Sequence, residues 1–231
     1  MRINKFIALH TTFSRRKADF LIKNGEVKLN GKITTNLGID INIDKDIIEI
    51  SDEKINTKTT KVYLALNKPA GYITSRADNL NRKTIMELLP KDQNLKPTGR
   101  LDKETEGLIL ITNDGDFINR YTHPKFECEK EYFAEIFGQL ENRDKEKLEK
   151  GIEIEGKKTA PSKIHIQKIQ KTGTTLTIVI HEGRKRQIRK MFDSISHPVK
   201  YLQRIRIGQI RLGNLEKGKF RPLTKKEIDA Y

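Results

Sequence analysis

Thr98-Gly99-Arg100-Leu101-Asp102-Lys103-Glu104-Thr105-Glu106-Gly107 stands directly before the apolar run Leu108-Ile109-Leu110-Ile111. Two glycines bracket a loop that carries one arginine and three carboxylates, and the run after it reads as a short buried strand. A carboxylate on a loop anchored by an adjacent strand is a frequent position for a catalytic group. The same residues also read more plainly, with Asp102 or Glu106 capping a surface turn. Both readings stand on these residues alone.

Outward from that loop, strand and helix signals mix irregularly. Val62-Tyr63-Leu64-Ala65-Leu66-Asn67 reads as a buried strand stopped by Lys68-Pro69-Ala70-Gly71. Thr84 and Glu87 have capping-box spacing, which opens a short helix that Pro90 closes. Asn113-Asp114-Gly115 turns the chain into a helix ending near His123-Pro124. Strands are expected at 132–137, 164–166 and 176–180, and a surface helix at 142–150 with Gly151 at its end. Thr224 and Glu227 form a second capping box. Without the strict alternation of a doubly wound sheet, the pattern predicts an α+β fold: a mainly antiparallel sheet with flanking helices.

The first 60 residues have a different composition. Ile3, Phe6, Ile7 and His10 recur at helical spacing, and Ser14 is placed to cap a second helix that Asn24-Gly25 ends. Asn30-Gly31 after Val27-Lys28-Leu29 is a hairpin signal. The alternation Ile39, Ile41, Ile43 predicts a strand, as does the run 47–50. Residues 51–61 are polar and without apolar period, and are read as a linker between domains at 1–60 and 62–231.

The 231 residues include 46 Lys or Arg and 31 Asp or Glu, a formal net charge of +15. Residues 181–231 hold 14 basic against 5 acidic residues, so most of the excess lies in the last quarter. An excess of this sign points to a polyanion partner, most often nucleic acid. On a helix, Ile188, Met191, Phe192 and Ile195 would share an apolar stripe, with Lys185, Arg186, Arg189 and Lys190 opposite. That face suits a phosphate backbone, and equally an ordinary solvated surface.

No apolar run approaches the roughly 20 residues that span a bilayer, and the start lacks a signal-peptide core. The single cysteine, Cys128, cannot form an internal disulfide and fits a reducing compartment. A cytoplasmic protein without a membrane partner is expected. The five histidines show no close metal-ligand spacing, and Cys128 has no cysteine partner for zinc.

Gly99-Arg100-Leu101-Asp102 followed by Thr105-Glu106-Gly107-Leu108 resembles the signature of pseudouridine synthases of the ribosomal small-subunit-A/large-subunit-B type. Asn67-Lys68-Pro69-Ala70-Gly71, Glu129-Lys130-Glu131-Tyr132 and Gly183-Arg184-Lys185-Arg186-Gln187-Ile188-Arg189-Lys190-Met191-Phe192 are similar to the family's other motifs, in the expected order. Arg2 to Ala8, Ser14 to Asp19 and Val27 to Gly31 are similar to an S4-type RNA-binding domain.

The resemblance implies isomerisation of a uridine in ribosomal RNA: the bond from ribose C1′ to uracil N1 breaks, the base turns, and C5 rejoins the sugar. It implies neither cofactor nor metal. Asp102 takes the place of the family's essential aspartate, attacking ribose or base or assisting a glycal route. Tyr132 would stack on the uracil and Arg189 would pair with Asp102. Substrate contacts are implied for Arg100, Ile188, Lys68 and Arg186, and RNA contacts for Arg2, Lys5, Arg15, Arg16, Lys17, Arg184, Lys185 and Lys190. The partner would be ribosomal RNA or a ribosomal-subunit assembly intermediate, met by a monomer. Thr105 to Leu108 and Thr122-His123-Pro124 look closer to the large-subunit branch. The rival reading is a non-catalytic RNA-binding or ribosome-assembly protein with a degenerate synthase domain, and an intact Asp102, Tyr132 and Arg189 speak against it. A general RNA chaperone would leave the acidic loop unexplained.

Overall fold

The computed structural model describes residues 1–56, 60–91 and 94–230. The chain divides into two units: Met1–Val62 with residues 92–95 in part and Asn113–Gly115, and the remainder from Tyr63 onward. Among the described residues no helix is long and apolar enough to cross a membrane.

In the first unit α1 (Ile3–His10) and α2 (Arg15–Lys23) pack through Ile3, Phe6, Ile7, Ala18, Leu21 and Ile22, the i, i+3, i+4 faces that the sequence predicts. The Ser14 side chain accepts from the Lys17 amide, closing the start of α2. A four-stranded sheet follows, built from β1 (Val27–Leu29), β2 (Lys32–Ile33), β3 (Ile48–Ile50) and β4 (Glu53–Lys54) in the order β2-β1-β3-β4. Asn30 and Gly31 both take positive φ, the turn expected between β1 and β2.

Two expectations here are corrected. Ile39, Ile41 and Ile43 form no strand; the segment makes one bridge, Arg2 to Asp40, and then turns where Asp46 accepts from the Asn42 amide. Residues 51–54 are no linker: Ser51 and Asp52, both at positive φ, turn the chain so that β4 pairs with β3. Ser-Asp lacks the glycine that marks such turns, so composition concealed the hairpin. Residues 57–59 of the expected linker lie outside the described residues.

The second unit is built on a nine-stranded sheet. Its strands are β5 (Tyr63–Lys68), β6 (Lys96–Thr98), β7 (Glu106–Thr112), β8 (Lys130–Phe137), β11 (Lys163–Gln170), β12 (Gly173–Ile180), β13 (Val199–Ile207), β14 (Ile210–Arg211) and β15 (Phe220–Pro222). The small hairpin of β9 (Glu153–Ile154) and β10 (Lys157–Lys158) stands apart from it. The order is β11-β12-β8-β13-β7-β5-β15, with β14 on β13 and β6 on β7. All of these pairings are antiparallel except that of β13 with β7, which is parallel. The helices α3 (Gly115–Thr122), α4 (Asn142–Lys150), α5 (Gln187–Asp193) and α6 (Lys225–Asp229) flank it. This is the α+β, mainly antiparallel architecture that the mixed pattern predicts.

Ile188, Met191 and Phe192 of α5 join Tyr132, Ala134, Ile136, Leu148 and Leu176 in one core cluster. Phe117 and Tyr121 of α3 join Leu108, Leu110 and Ile207 in another. The start of α5 differs from the expected helix. Arg186 adopts φ 54°, ψ 32°, a left-handed conformation that no α-helix continues through, so the helix begins at Gln187. Lys185 and Arg186 form a turn closed by the Gln187 amide on the Arg184 carbonyl, and the Gln187 side chain accepts from the Arg184 amide and donates to Glu182.

Candidate active site

Asp102 lies on the loop between β6 and β7, and several groups fix the backbone of that loop. The Thr74 hydroxyl accepts from the Leu101 amide at 3.1 Å and donates to the Leu101 carbonyl at 2.9 Å. The Gly71 amide donates to the Lys103 carbonyl at 2.8 Å, and the Thr105 amide to that of Asp102 at 3.1 Å. From below, the Lys68 ammonium donates to the carbonyls of Thr105 (2.8 Å), Pro69 (3.0 Å) and Lys103 (3.2 Å). Burial pushes this amine down to about 8, against the carboxylates of Glu104, Glu106 and Asp102, which hold it up. The Asp102 carboxylate itself, half-buried, takes no hydrogen bond or ion pair among the described residues. Its mount is rigid and its acceptor atoms are uncommitted.

The carboxylate faces a cavity of about 840 Å³ that also takes in Tyr132, Ile188, Arg189 and Arg100. Tyr132 comes from β8 and Ile188 from α5, both mostly buried. The basic turn Arg184-Lys185-Arg186 edges the same space. Three segments far apart in sequence, at 100–102, 132 and 188–189, thus line one cavity. Among the described residues no group of three or more histidine, cysteine or acidic side chains gathers as metal ligands would.

Several expected contacts are redirected. Lys68 is fully buried beneath the loop, which it supports, and lines no part of the cavity. Arg189 makes no ion pair with Asp102; its Nη1 donates to the Val199 carbonyl at 3.1 Å, while its Nε is buried without a partner. Burial and the neighbouring Arg186 push its guanidinium down from the ordinary value, against Glu104, Asp102 and Asp193. Lys190 is turned to Glu155 at 2.6 Å, away from the cavity. Arg184 is spent on Glu182 and on the carbonyls of Lys157 and Lys158. Arg186 reaches Glu104 at 3.3 Å. The four-cation face expected of one helix is therefore corrected: Lys185 and Arg186 precede α5, and the other two are held by protein groups.

In the first unit Arg2, Arg15, Arg16 and Lys17 are exposed and Lys5 is half-buried. Arg2 bonds the Gly38 carbonyl, Arg15 donates to Asn4, and Lys17 lies 4.4 Å from the centre of the Phe20 ring.

One residue of the site escaped sequence reading. Arg204 of β13, 3% exposed, lines the cavity beside Tyr132. In sequence it is one cation among many; only its place in the sheet separates it from the rest.

A mainly antiparallel sheet thus presents a carboxylate loop, a buried tyrosine and several arginines to one cleft. Residues 62–194 match the family described as RNA pseudouridylate synthase. The chain is 41% identical over 230 residues to ribosomal large subunit pseudouridine synthase B of Bacillus subtilis, spanning 98% of this chain and 93% of that protein. It is 40% identical over 231 residues to an uncharacterized RNA pseudouridine synthase of Aquifex aeolicus, spanning 99% and 92%. A crystal structure of a pseudouridylate synthase aligns over 100% of this chain and 99% of that one, with a TM-score of 0.73 at 33% identity. The chain belongs to the RNA pseudouridine synthase family and is an isomerase.

Proposed function

We propose that the protein isomerises one uridine of ribosomal RNA, in the large-subunit RNA, with Asp102 as the nucleophile. The observation that carries this reading is the uncommitted Asp102 carboxylate on a loop whose backbone is pinned by Thr74, Gly71 and Lys68. A carboxylate can attack and leave near neutral pH without a base to activate it. The likeness to a large-subunit synthase supports the choice of RNA.

A stacked uridine cannot bring C1′ and C5 to a loop carboxylate, so the nucleotide must leave the stack, at a cost of a few kcal/mol. In this reading the base enters the cavity, stacks on Tyr132 and packs against Ile188. Arg100 and Arg186 at the cavity mouth hold its flanking phosphates, with Arg186 exchanging Glu104 for RNA. Arg189 gives up the Val199 carbonyl to join Asp102 as the site fills. The first unit serves as an S4-type RNA-docking domain through Arg2, Lys5, Arg15, Arg16 and Lys17. The protein works as a monomer on ribosomal RNA or a subunit assembly intermediate in the cytoplasm.

Asp102→Asn should abolish pseudouridine formation in ribosomal RNA while leaving RNA affinity nearly intact. Retained turnover in that variant refutes the assignment. Pseudouridine mapping of both ribosomal RNAs from cells lacking the gene identifies the target uridine, and a missing pseudouridine in the small-subunit RNA overturns the choice of branch.

A further inference from the structure

Arg204, 3% exposed, is a cation buried inside the sheet. It sits in β13 directly opposite Tyr132 on β8 and Gly107 on β7, so one residue bridges the strand of the tyrosine and the strand that follows the Asp102 loop. Its Nε donates to the Leu108 carbonyl at 2.7 Å. Its Nη1 donates to the Tyr132 hydroxyl at 3.3 Å and to the Arg100 carbonyl at 3.5 Å. The guanidinium carbon stands 5.9 Å from the centre of the Tyr132 ring. Nη2 is buried without a partner, and among the described residues no carboxylate lies within 4.0 Å.

A buried guanidinium without a counter-ion is costly, and an apolar side chain of similar volume would pack there without that cost. At this residue the backbones of β13 and β7 also meet closely. Gly107 has φ 103°, and a Cβ there would stand 2.3 Å from the Arg204 carbonyl oxygen. Only glycine lets β7 come this close to β13. The register of β13 also shifts between Arg204 and Arg206, a bulge of the kind found beside active sites.

We propose that Arg204 is a positioning residue for the reaction, holding the Tyr132 phenol and the backbone before Asp102 in one fixed relation. A guanidinium only donates, so the Tyr132 oxygen must accept from it, and the phenol's own proton is turned away from Arg204. The same planar group is tied to the chain on both sides of Asp102, through the carbonyls of Arg100 before it and Leu108 after it. The proposal rests on the reaction proposed above and on the role given there to Tyr132.

The test uses the full-length protein and an RNA transcript containing the target uridine. Arg204→Lys, which keeps the charge, and Arg204→Gln should each lower kcat by about 10- to 100-fold with KM little changed, as expected when a reacting group is displaced by about an ångström. Because the effect runs through Tyr132, adding either change to Tyr132→Phe should cost almost nothing more. Parental kcat in the Arg204 variants, parental kcat in Tyr132→Phe, or effects that multiply in the double variants would each overturn the proposal. Should both Arg204 variants fail to fold, the coupling is read in Tyr132→Phe alone: the side-chain NMR resonances of Arg204 must move when their acceptor is removed, and unmoved resonances overturn it. Turnover by Asp102→Asn would remove the nucleophile reading and leave the Arg204–Tyr132 coupling standing.

Discussion

Lys68 shows how a single buried charge supports the loop that carries Asp102. Its ammonium replaces water with three carbonyl oxygens, two of them on the residues that flank Glu104. Burial lowers its pKa from 10.5 to about 8. Between those values the unfolded chain holds a proton that the folded one has released, so unfolding free energy from this group rises with pH across the window. Below about pH 8 both states are protonated and the burial penalty is present in full. Lys68→Met should cost about 2–3 kcal/mol at pH 7 through the orphaned carbonyls. Urea midpoints from pH 7 to 10 should then show a rise in the parent that the variant lacks, and parallel profiles would show an amine that titrates normally. Glu106 beside it illustrates the opposite balance: burial raises its carboxyl, but bonds from Lys217 and Tyr201 outweigh this and hold it below the ordinary range.

At the scale of elements, the parallel pairing of β7 with β13 decides the site. It aligns Glu106 with Gln203 and Gly107 with Arg204, placing the loop end against the strand that also pairs with β8. Gly107→Ala brings a Cβ against backbone that cannot yield as a side chain would, at a φ that L residues avoid. The expected cost is about 3 kcal/mol, with kcat falling further than stability alone explains. Denaturant unfolding and turnover measured side by side check this; an unchanged midpoint would mean that β13 moves aside freely. Element starts and turns followed local chemistry unevenly. Ser14 marked α2, Thr84 the short 3-10 helix Ile85–Leu88 and Asn30-Gly31 its hairpin, whereas Ser51-Asp52 turned the chain without a recognisable signal. Around α5 the apolar stripe was legible, but the left-handed Arg186 that delays the helix was not. Arginine carries no preference for that conformation, so the start is set by the Glu182-Gln187-Arg184 bonds.

Over the whole molecule the +15 charge divides into cations that are spent and cations that are offered. Arg206 is held by Glu129 and Glu131, Arg221 by Glu227, and Lys190 by Glu155, so part of the C-terminal excess builds the fold. Arg15 and Arg16 on the exposed side of α2 are offered to solvent. Replacing both with Ala should weaken RNA binding and lower the slope of log K against log salt by about 2, roughly one for each phosphate left unneutralised. Affinity measured across a salt series reads this directly, and an unchanged slope would show that α2 meets no phosphate.

What the sequence determined by itself is local or periodic: the amphipathic faces of α1, α2 and α5, the caps, the glycine-bracketed acidic loop, and the mixed pattern of an antiparallel α+β fold. These depend on residues within a few positions of one another, and the ordered motifs added the residues that converge. The tertiary structure alone decided what those residues touch. It placed β13 between β7 and β8, which made Arg204 the partner of Tyr132. It sank Lys68 beneath the loop, and it gave Arg189 to the Val199 carbonyl instead of Asp102. Charge patterns along a chain do not reveal which cation will be buried, because burial depends on strand neighbours distant in sequence and on which carbonyls their register leaves unpaired.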